Sequence, residues 1–328
     1  METLYPLKFE SIYKDYIWGG TKLREKLNKK IPSSITQCAE IWEISSIQDN
    51  ISVVSNGFLA GNNLQEVIEI YMGDIVGDKV FDQFGDEFPL LIKLIDATDT
   101  LSIQVHPDNK VAKERHHAFG KTEMWYIMDS EPDSQIITGF KSKITKKLYQ
   151  KHLEDNTLKD ILNIEQAKKD EVFFLPAGRV HSIGKGIMLA EIQQSSDITY
   201  RIYDWERVDK SGNPRELHTD LALDVIDFKQ YDSYKISKSL VNNKETELVS
   251  SDFFDVNRIF FNKSIEKDYY LLDSFVIYIC IEGKLNILYG DGKKESLSKG
   301  ETVLIPADLK ELTLEPLKSA LILEVFIK

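Results

Sequence analysis

The sequence predicts a mainly β protein built as two related β-barrels with a few short helices. Three observations lead there. Short apolar runs of β type recur along the whole chain, separated by Gly, Asp, Asn and Pro. Helical periodicity is confined to three places. One strand-and-turn pattern occurs twice at the same internal spacing, around residues 170–181 and again around 300–311.

In chain order the β-type runs are ISVVS (51–55), PLLIKLI (89–95), MWYIM (124–128), SQIITGF (134–140), EVFFLPAG (171–178), IMLAEIQ (187–193), FVIYICI (275–281), KLNILYG (284–290), ETVLIPA (301–307) and ALILEVFI (320–327). The segment NNLQEVIEIYMG (62–73) reads as a helix, with an Asn cap and apolar residues at Leu64, Val67, Ile68, Tyr71 and Met72. Residues 144–168 hold one or two short amphipathic helices, and TDLALDVI (219–226) another. In the repeat, Asp170-EVFFL-Pro176-Ala-Gly178-Arg-Val-His181 matches Gly300-ETVLI-Pro306-Ala-Asp308-Leu-Lys-Glu311. Each copy is a turn, an apolar strand of five, then Pro-Ala and a second turn. Only the first copy ends in a histidine, so the N-terminal barrel should bear the site and the C-terminal one should be structural. The polar stretch KISKSLVNNKETELVSS (235–251) reads as the linker, dividing the chain into residues 1–240 and 241–328.

Bulk properties narrow the function. The chain has 328 residues, 42% hydrophobic and 29% charged, with a net charge of −12, which suits a globular protein of two ordinary domains. Such acidity makes nucleic acid or an anionic membrane a poor general partner. An anionic ligand would need a local cluster of positive charge. The start METLYPLKFE shows no basic-then-apolar signal pattern, and FVIYICI is far too short to span a bilayer. Two cysteines, Cys38 and Cys280, without CxxC spacing suit a reducing cytoplasm.

The chemistry starts at SIQVHPDN (102–109). Ser102, Gln104 and His106 share one face of a strand and Ile103 and Val105 the other, although the apolar run upstream places the strand deep in a fold. That polar face should line a cavity or meet a ligand. Pro107 ends the strand. His181 follows the Pro-x-Gly turn, and Glu123 opens the apolar strand after GKT. A single histidine in a strand is ordinarily a hydrogen-bonded core or surface group, and Glu123 alone would be a strand-edge charge. Together, Gln104, His106, Glu123 and His181 form a neutral-imidazole-plus-carboxylate set suited to a divalent transition metal. The other four histidines have plainer readings. His116 and His117 lie in the polar KERHHAF and are solvated, His152 lies on a helix face, and His218 is structural. One carboxylate on a dication leaves the site net positive, as a Lewis acid requires. Lys121, Arg179, Arg201 and Arg207 lie near the ligands in sequence and would suit a phosphorylated, oxygen-rich metabolite, each alone also reading as a surface charge.

With those residues in hand, the chain resembles the type I mannose-6-phosphate isomerases, zinc enzymes of the cupin (jelly-roll) superfamily, in their short bacterial form. The resemblance rests on YIWGGTKL (16–23), AEIWEIS (39–45), PLLIKLIDATDTLSIQVHPD (89–108), GKTEMWYIM (120–128), FLPAGRVHSIGKG (174–186) and QSSDITYRIYDW (194–205). It implies one Zn2+ per chain on Gln104, His106, Glu123 and His181, and catalysis by Arg201. It places Lys121, Glu191 and Asp197 at active-site positions, Trp18 in the pocket wall and Ser102 on the substrate phosphate. Arg207 falls where some members carry a phosphate-binding lysine, a change that keeps the charge and alters the geometry. The implied reaction converts mannose 6-phosphate to fructose 6-phosphate through an enediol. Lys121 is one candidate general base, and Glu191 or Asp197 is another. Two other readings remain open: an Fe(II) cupin oxygenase, which also uses two His and one Glu, and a sugar-phosphate-binding cupin without activity.

Overall fold

The structure is a computed structural model, and it describes residues 3–208 and 212–328. It is mainly β. Its strands form a seven-stranded and a five-stranded sheet from the N-terminal part, a seven-stranded sheet from the C-terminal part, and one two-stranded ribbon. No helix among the described residues is long and apolar enough to cross a membrane.

The first large sheet explains why the apolar runs are nearly continuous. Its central strands are Glu40–Ile44, Leu90–Ala97, Ile187–Gln194 and Glu123–Ser130. Alternation puts Leu90, Ile92, Leu94, Met124, Tyr126, Met188, Ala190 and Ile192 on one face, in a core shared with the C-terminal sheet. There Phe88 packs on Phe275 with ring centroids 4.6 Å apart. Burying each such ring contributes on the order of 1.5–3 kcal/mol, so this core ties the two parts together. The opposite face carries Ile95, Ala97, Trp125, Ile127, Ile187 and Leu189 in a smaller inner core. Both faces are covered, and the few polar residues on the inner one stand out.

The five-stranded sheet runs Tyr200–Tyr203, Ile103–Val105, His181–Ile183, Gln135–Phe140, Leu162–Gln166. Ile103 and Val105 face an outer cluster with Phe140, Tyr149 and Tyr200, as the alternation of residues 102–106 requires. Ile136 and Ile183 join the inner core of the first sheet, so the two inner faces enclose the same space. Gly178, at φ 87°, lets the chain turn between Pro176 and His181, and a Cβ there would lie 2.7 Å from the Val225 carbonyl oxygen.

The repeat seen in the sequence has a structural counterpart. Val172–Leu175 and Thr302–Ile305 are both strands, and His181 and Glu311 each open the next one. Equivalent pairing rows cross the two large sheets. Trp42, Lys93, Glu191, Trp125 and Phe173 stand opposite one another in turn on one sheet. Glu247, Asn257, Glu324, Tyr278 and Val303 do so on the other.

The helices Leu64–Tyr71 and Thr219–Val225 lie where the pattern placed them, the first with a capping box between Asn63 and Glu66. The stretch 144–168 differs in part. It holds the helix Lys146–Glu154 and a 3₁₀ turn, but Leu162–Gln166 is a strand paired with Gln135–Phe140. The helix Asn109–His116 was not legible, because Ala112 is its one buried residue and it has no apolar stripe. The polar stretch 235–251 is less of a linker than its composition suggests. Lys235–Ile236 completes the first sheet and Lys244–Ser250 starts the C-terminal one.

Candidate active site

Three buried side chains converge between the two inner faces. His181 Nε2 lies 3.2 Å from Glu123 Oε1, and His106 Nε2 lies 3.5 Å from Glu123 Oε2. One ligand atom from each lies within 4.8 Å of the others. Each imidazole has its Nδ1 2.8 Å from a backbone carbonyl, of Ile198 for His106 and of Arg179 for His181. A carbonyl can only accept, so Nδ1 carries the proton and Nε2 presents a lone pair to the cluster. Burial keeps both rings neutral, lowering the pKa of His181 to about 3 and that of His106 well below the usual range.

Some polar atoms at the centre lack hydrogen bonds. His106 Nε2 and both Glu123 oxygens are buried without a hydrogen bond. Burial pushes the Glu123 carboxyl up to about 7, against the pull of the Lys121 ammonium 3.3 Å away. Orphaned buried acceptors are costly, and a dication removes that cost. Each imidazole faces a different oxygen of Glu123, at 3.2 and 3.5 Å, and nitrogen and carboxylate donors in such a group suit zinc. Gln104 stands opposite His181 in the sheet, and its Nε2 lies 3.3 Å from His181 Nε2. Its Oε1 is the atom a metal would take. The residues present therefore fit a metal ion.

A cavity of about 370 Å³ opens beside this cluster, within the size range of small-ligand sites. Trp18, Ser102, Gln104, Lys121, Glu191, Asp197 and Arg201, all singled out in the sequence, line it. Trp18 comes from a segment pressed tightly on the sheet. A Cβ on Gly19 would lie 2.5 Å from the Ala39 nitrogen, and Thr98 Oγ1 donates to the carbonyls of Trp18 and Gly19. Arg201 stands opposite Gln104 in the five-stranded sheet.

Arg207 is not brought to the wall. Its guanidinium donates to the Thr100 carbonyl at 2.8 Å and to Asp204 Oδ1 at 2.5 Å. Arg215 lines the cavity instead, and Tyr16, Glu40, Trp42, Lys93 and Thr199 complete its polar and aromatic lining. Sequence reasoning assigned no role to these six. Lys93 is the most informative. It is buried, with Nζ 3.0 Å from Glu191 Oε2 and 3.8 Å from Glu40 Oε2. Trp125 Nε1 donates to the other Glu191 oxygen at 2.8 Å. Burial alone would raise the pKa of Glu191, but the Lys93 and Lys121 ammoniums overcome it and hold the group near 2. The available sequence signal was a single lysine inside PLLIKLI, which only a polar interior explains.

His116 is tied rather than merely solvated, its Nε2 lying 2.7 Å from the Tyr200 hydroxyl. His218 receives the Arg201 backbone N–H on Nδ1 at 3.2 Å and precedes the helix Thr219–Val225, a structural position.

Fold and site together define a class: a mainly β protein with a candidate metal centre at the side of a cation-bearing, ligand-sized cavity. Comparison with known proteins narrows it. Residues 6–145 match the catalytic domain family of type I phosphomannose isomerase. The chain is 35% identical over 306 residues to the mannose-6-phosphate isomerase of Streptococcus mutans, covering 93% of each. It is 35% identical to a mannose-6-phosphate isomerase of Bacillus subtilis, covering 95% of this chain and 96% of that one. The crystal structure of the mannose 6-phosphate isomerase from B. subtilis superposes with a TM-score of 0.87 at 32% identity, covering 98% of this chain and 99% of that one. The chain belongs to the mannose-6-phosphate isomerase family and is an enzyme of that family.

Proposed function

We propose that this enzyme interconverts mannose 6-phosphate and fructose 6-phosphate, with zinc held by Gln104, His106, Glu123 and His181. The observation that carries the reading is the convergence of two neutral imidazoles and a carboxylate, with His106 Nε2 and both Glu123 oxygens left without hydrogen bonds, beside a cavity lined by Lys121 and Arg201. The near-full-length similarity to proteins named mannose-6-phosphate isomerase supports the substrate. Bound zinc would supply Lewis acidity toward the sugar's oxygens.

The protein's own groups do the rest. The reaction moves a proton from C2 to C1 through an enediol, so it needs a proton carrier and a partner for the oxyanion that develops. We assign the proton to Lys121. Glu191 is a poor base, with both oxygens engaged and its pKa held near 2. Asp197 stands exposed on the wall. Arg201, buried Nε unpartnered, is the cation for the oxyanion. Trp18 gives the sugar an apolar wall, Glu191 fixes the Lys93 ammonium in the cavity, and Ser102 takes the phosphate. Arg207 acts through Asp204 rather than by contact. Residues 1–240 form the catalytic unit and 241–328 a structural one. The two buried free cysteines suit a reducing cytoplasm.

The test is a coupled assay of fructose 6-phosphate formed from mannose 6-phosphate, on the protein as isolated, after chelation, and after zinc is restored. Activity that disappears with the metal and returns with zinc is the expected result. Metal-loaded protein without turnover would overturn the isomerase reading and leave the oxygenase and the inactive binder.

A further inference from the structure

We infer that Arg215 is a cation for the substrate's phosphate, beside Ser102, with Asp204 as the buried carboxylate that aims it. The inference rests on the sugar-phosphate reading above and names a residue for it. Arg215 is the guanidinium that lines the cavity together with Arg201, whereas Arg207 stays behind the wall.

Asp204 organises the cluster. It is 5% exposed and accepts Arg215 Nε at 2.7 Å on Oδ2 and Arg215 Nη2 at 2.6 Å on Oδ1. Oδ1 also accepts Arg207 Nη2 at 2.5 Å. Arg207 is thereby a prop, holding Asp204 from behind while Asp204 holds Arg215 from the side. Two of the five N–H donors of Arg215 are committed this way, which fixes the plane of the guanidinium.

The charges do not close. Among the described residues, Arg201, Arg207 and Arg215 gather round one buried carboxylate, Asp204, while Asp99 beside Arg207 and Glu216 beside Arg201 lie out in solvent at 61% and 83% exposure, and Asp197 stands exposed on the wall. The Arg201 guanidinium donates to the Glu216 carbonyl at 2.8 Å, and among the described residues its Nε is buried without a hydrogen bond. The Arg215 and Arg207 guanidiniums, after burial, depress the pKa of Arg201, the mark of like charges held close. In a chain of net charge −12 this local surplus is the feature that could draw in an anion. A phosphate monoester carries a charge of about −1.5 to −2 at neutral pH and fits the surplus.

The experiment compares wild-type, Arg215→Gln and Arg215→Lys holoenzyme. It measures kcat/KM for mannose 6-phosphate and competitive Ki values for inorganic phosphate and for a neutral hexose. Losing a charge-assisted contact should weaken kcat/KM and phosphate inhibition together by about 10–100-fold in the Gln variant. The Lys variant should recover part of the loss, and the Ki of the neutral sugar should not move. An unchanged phosphate Ki, or a neutral-sugar Ki that rises in parallel, overturns the inference. A second measurement needs no variant: a dicarbonyl reagent should modify Arg215 in wild-type protein, and inorganic phosphate should protect it, as read by mass spectrometry. Equal labelling with and without phosphate overturns the inference too. Wild-type protein that binds phosphate through Arg215 but does not isomerise mannose 6-phosphate would sink the proposed reaction and leave this assignment standing.

Discussion

Replacing Lys93 with Met should destabilise the protein at neutral pH and spare it in acid. Lys93 and Glu191 are both buried, with Nζ and Oε2 3.0 Å apart. The Glu191 carboxyl is held from an ordinary 4.5 down to about 2. At about 1.36 kcal/mol per unit that depression is worth roughly 3 kcal/mol of folding stability, and breaking a buried pair costs about 3–5 kcal/mol in general. With an unfolding entropy of about 0.7 kcal/mol/K for a chain of this length, Tm should fall by roughly 4–5 °C. The sign follows from linkage. In the wild type the depressed pKa contributes stability above about pH 4.5, and it is lost as pH falls toward 2. In the variant burial is opposed by less positive charge, so the Glu191 pKa rises and its protonated form becomes tolerable. The deficit should be full at pH 7 and shrink as pH falls toward 4. Melting curves of chelated wild type and Lys93→Met, taken from pH 7 to pH 4, measure it. No deficit at pH 7, or one that is equal across the range, would refute the reasoning.

Other perturbations separate the parts of the site. Glu123→Gln keeps the shape and removes the one carboxylate of the cluster, so the metal content of purified protein should collapse, as read by elemental analysis. Lys121→Ala should abolish exchange of the C2 proton with solvent while the metal stays bound; exchange that persists would remove Lys121 from the proton-transfer role. Asn63→Ala breaks the capping box of Leu64–Tyr71 and should cost about 1 kcal/mol in denaturant unfolding with KM unchanged.

The convergence of His106, Glu123 and His181 was legible because each of them, like Gln104 beside them, breaks a local rule. Gln104 and His106 put polar groups on the inner face of a strand whose surroundings are apolar, Glu123 opens an otherwise apolar strand, and His181 ends a turn that the second half repeats without a histidine. Lys93, Arg215 and the other cavity residues that the sequence did not single out were not legible, because register and side-chain commitments are not written along a chain. Lys93 and Glu191 are 98 residues apart, and pairing of two strands makes them neighbours. Arg207 fitted the family pattern in sequence, yet Asp204 and Thr100 claim its guanidinium. Arg215 follows the undescribed residues 209–211 in a polar loop that offers no periodicity at all. Leu162–Gln166 forms a strand rather than the expected helix: the run is only five residues long, it follows directly on the 3₁₀ turn, and pairing at the edge of a sheet, where Ile164 stays exposed, decides it.

The duplicated row shows what a polar interior needs before it becomes a site. Glu324 has the register of Glu191, and like it has a donor on each oxygen: Tyr269 OH at 2.6 Å on Oε1 and Asn257 Nδ2 at 2.9 Å on Oε2. Lys267 adds an ammonium 2.5 Å from Oε1, and the Tyr269 hydroxyl also bonds that of Tyr278. Asn257 stands where the first sheet has Lys93, and Tyr278 where it has Trp125. The second carboxylate is therefore satisfied entirely by the protein, with Tyr269 and Tyr278 packed in an apolar core. In the first half the donors stop short. Glu123, His106 and Arg201 keep buried atoms without a hydrogen bond, although Lys121 stands 3.3 Å from Glu123, next to open volume. A buried carboxylate and imidazole left without hydrogen bonds beside a cavity distinguish the first half, and they are sited where a metal and an anionic sugar would meet them.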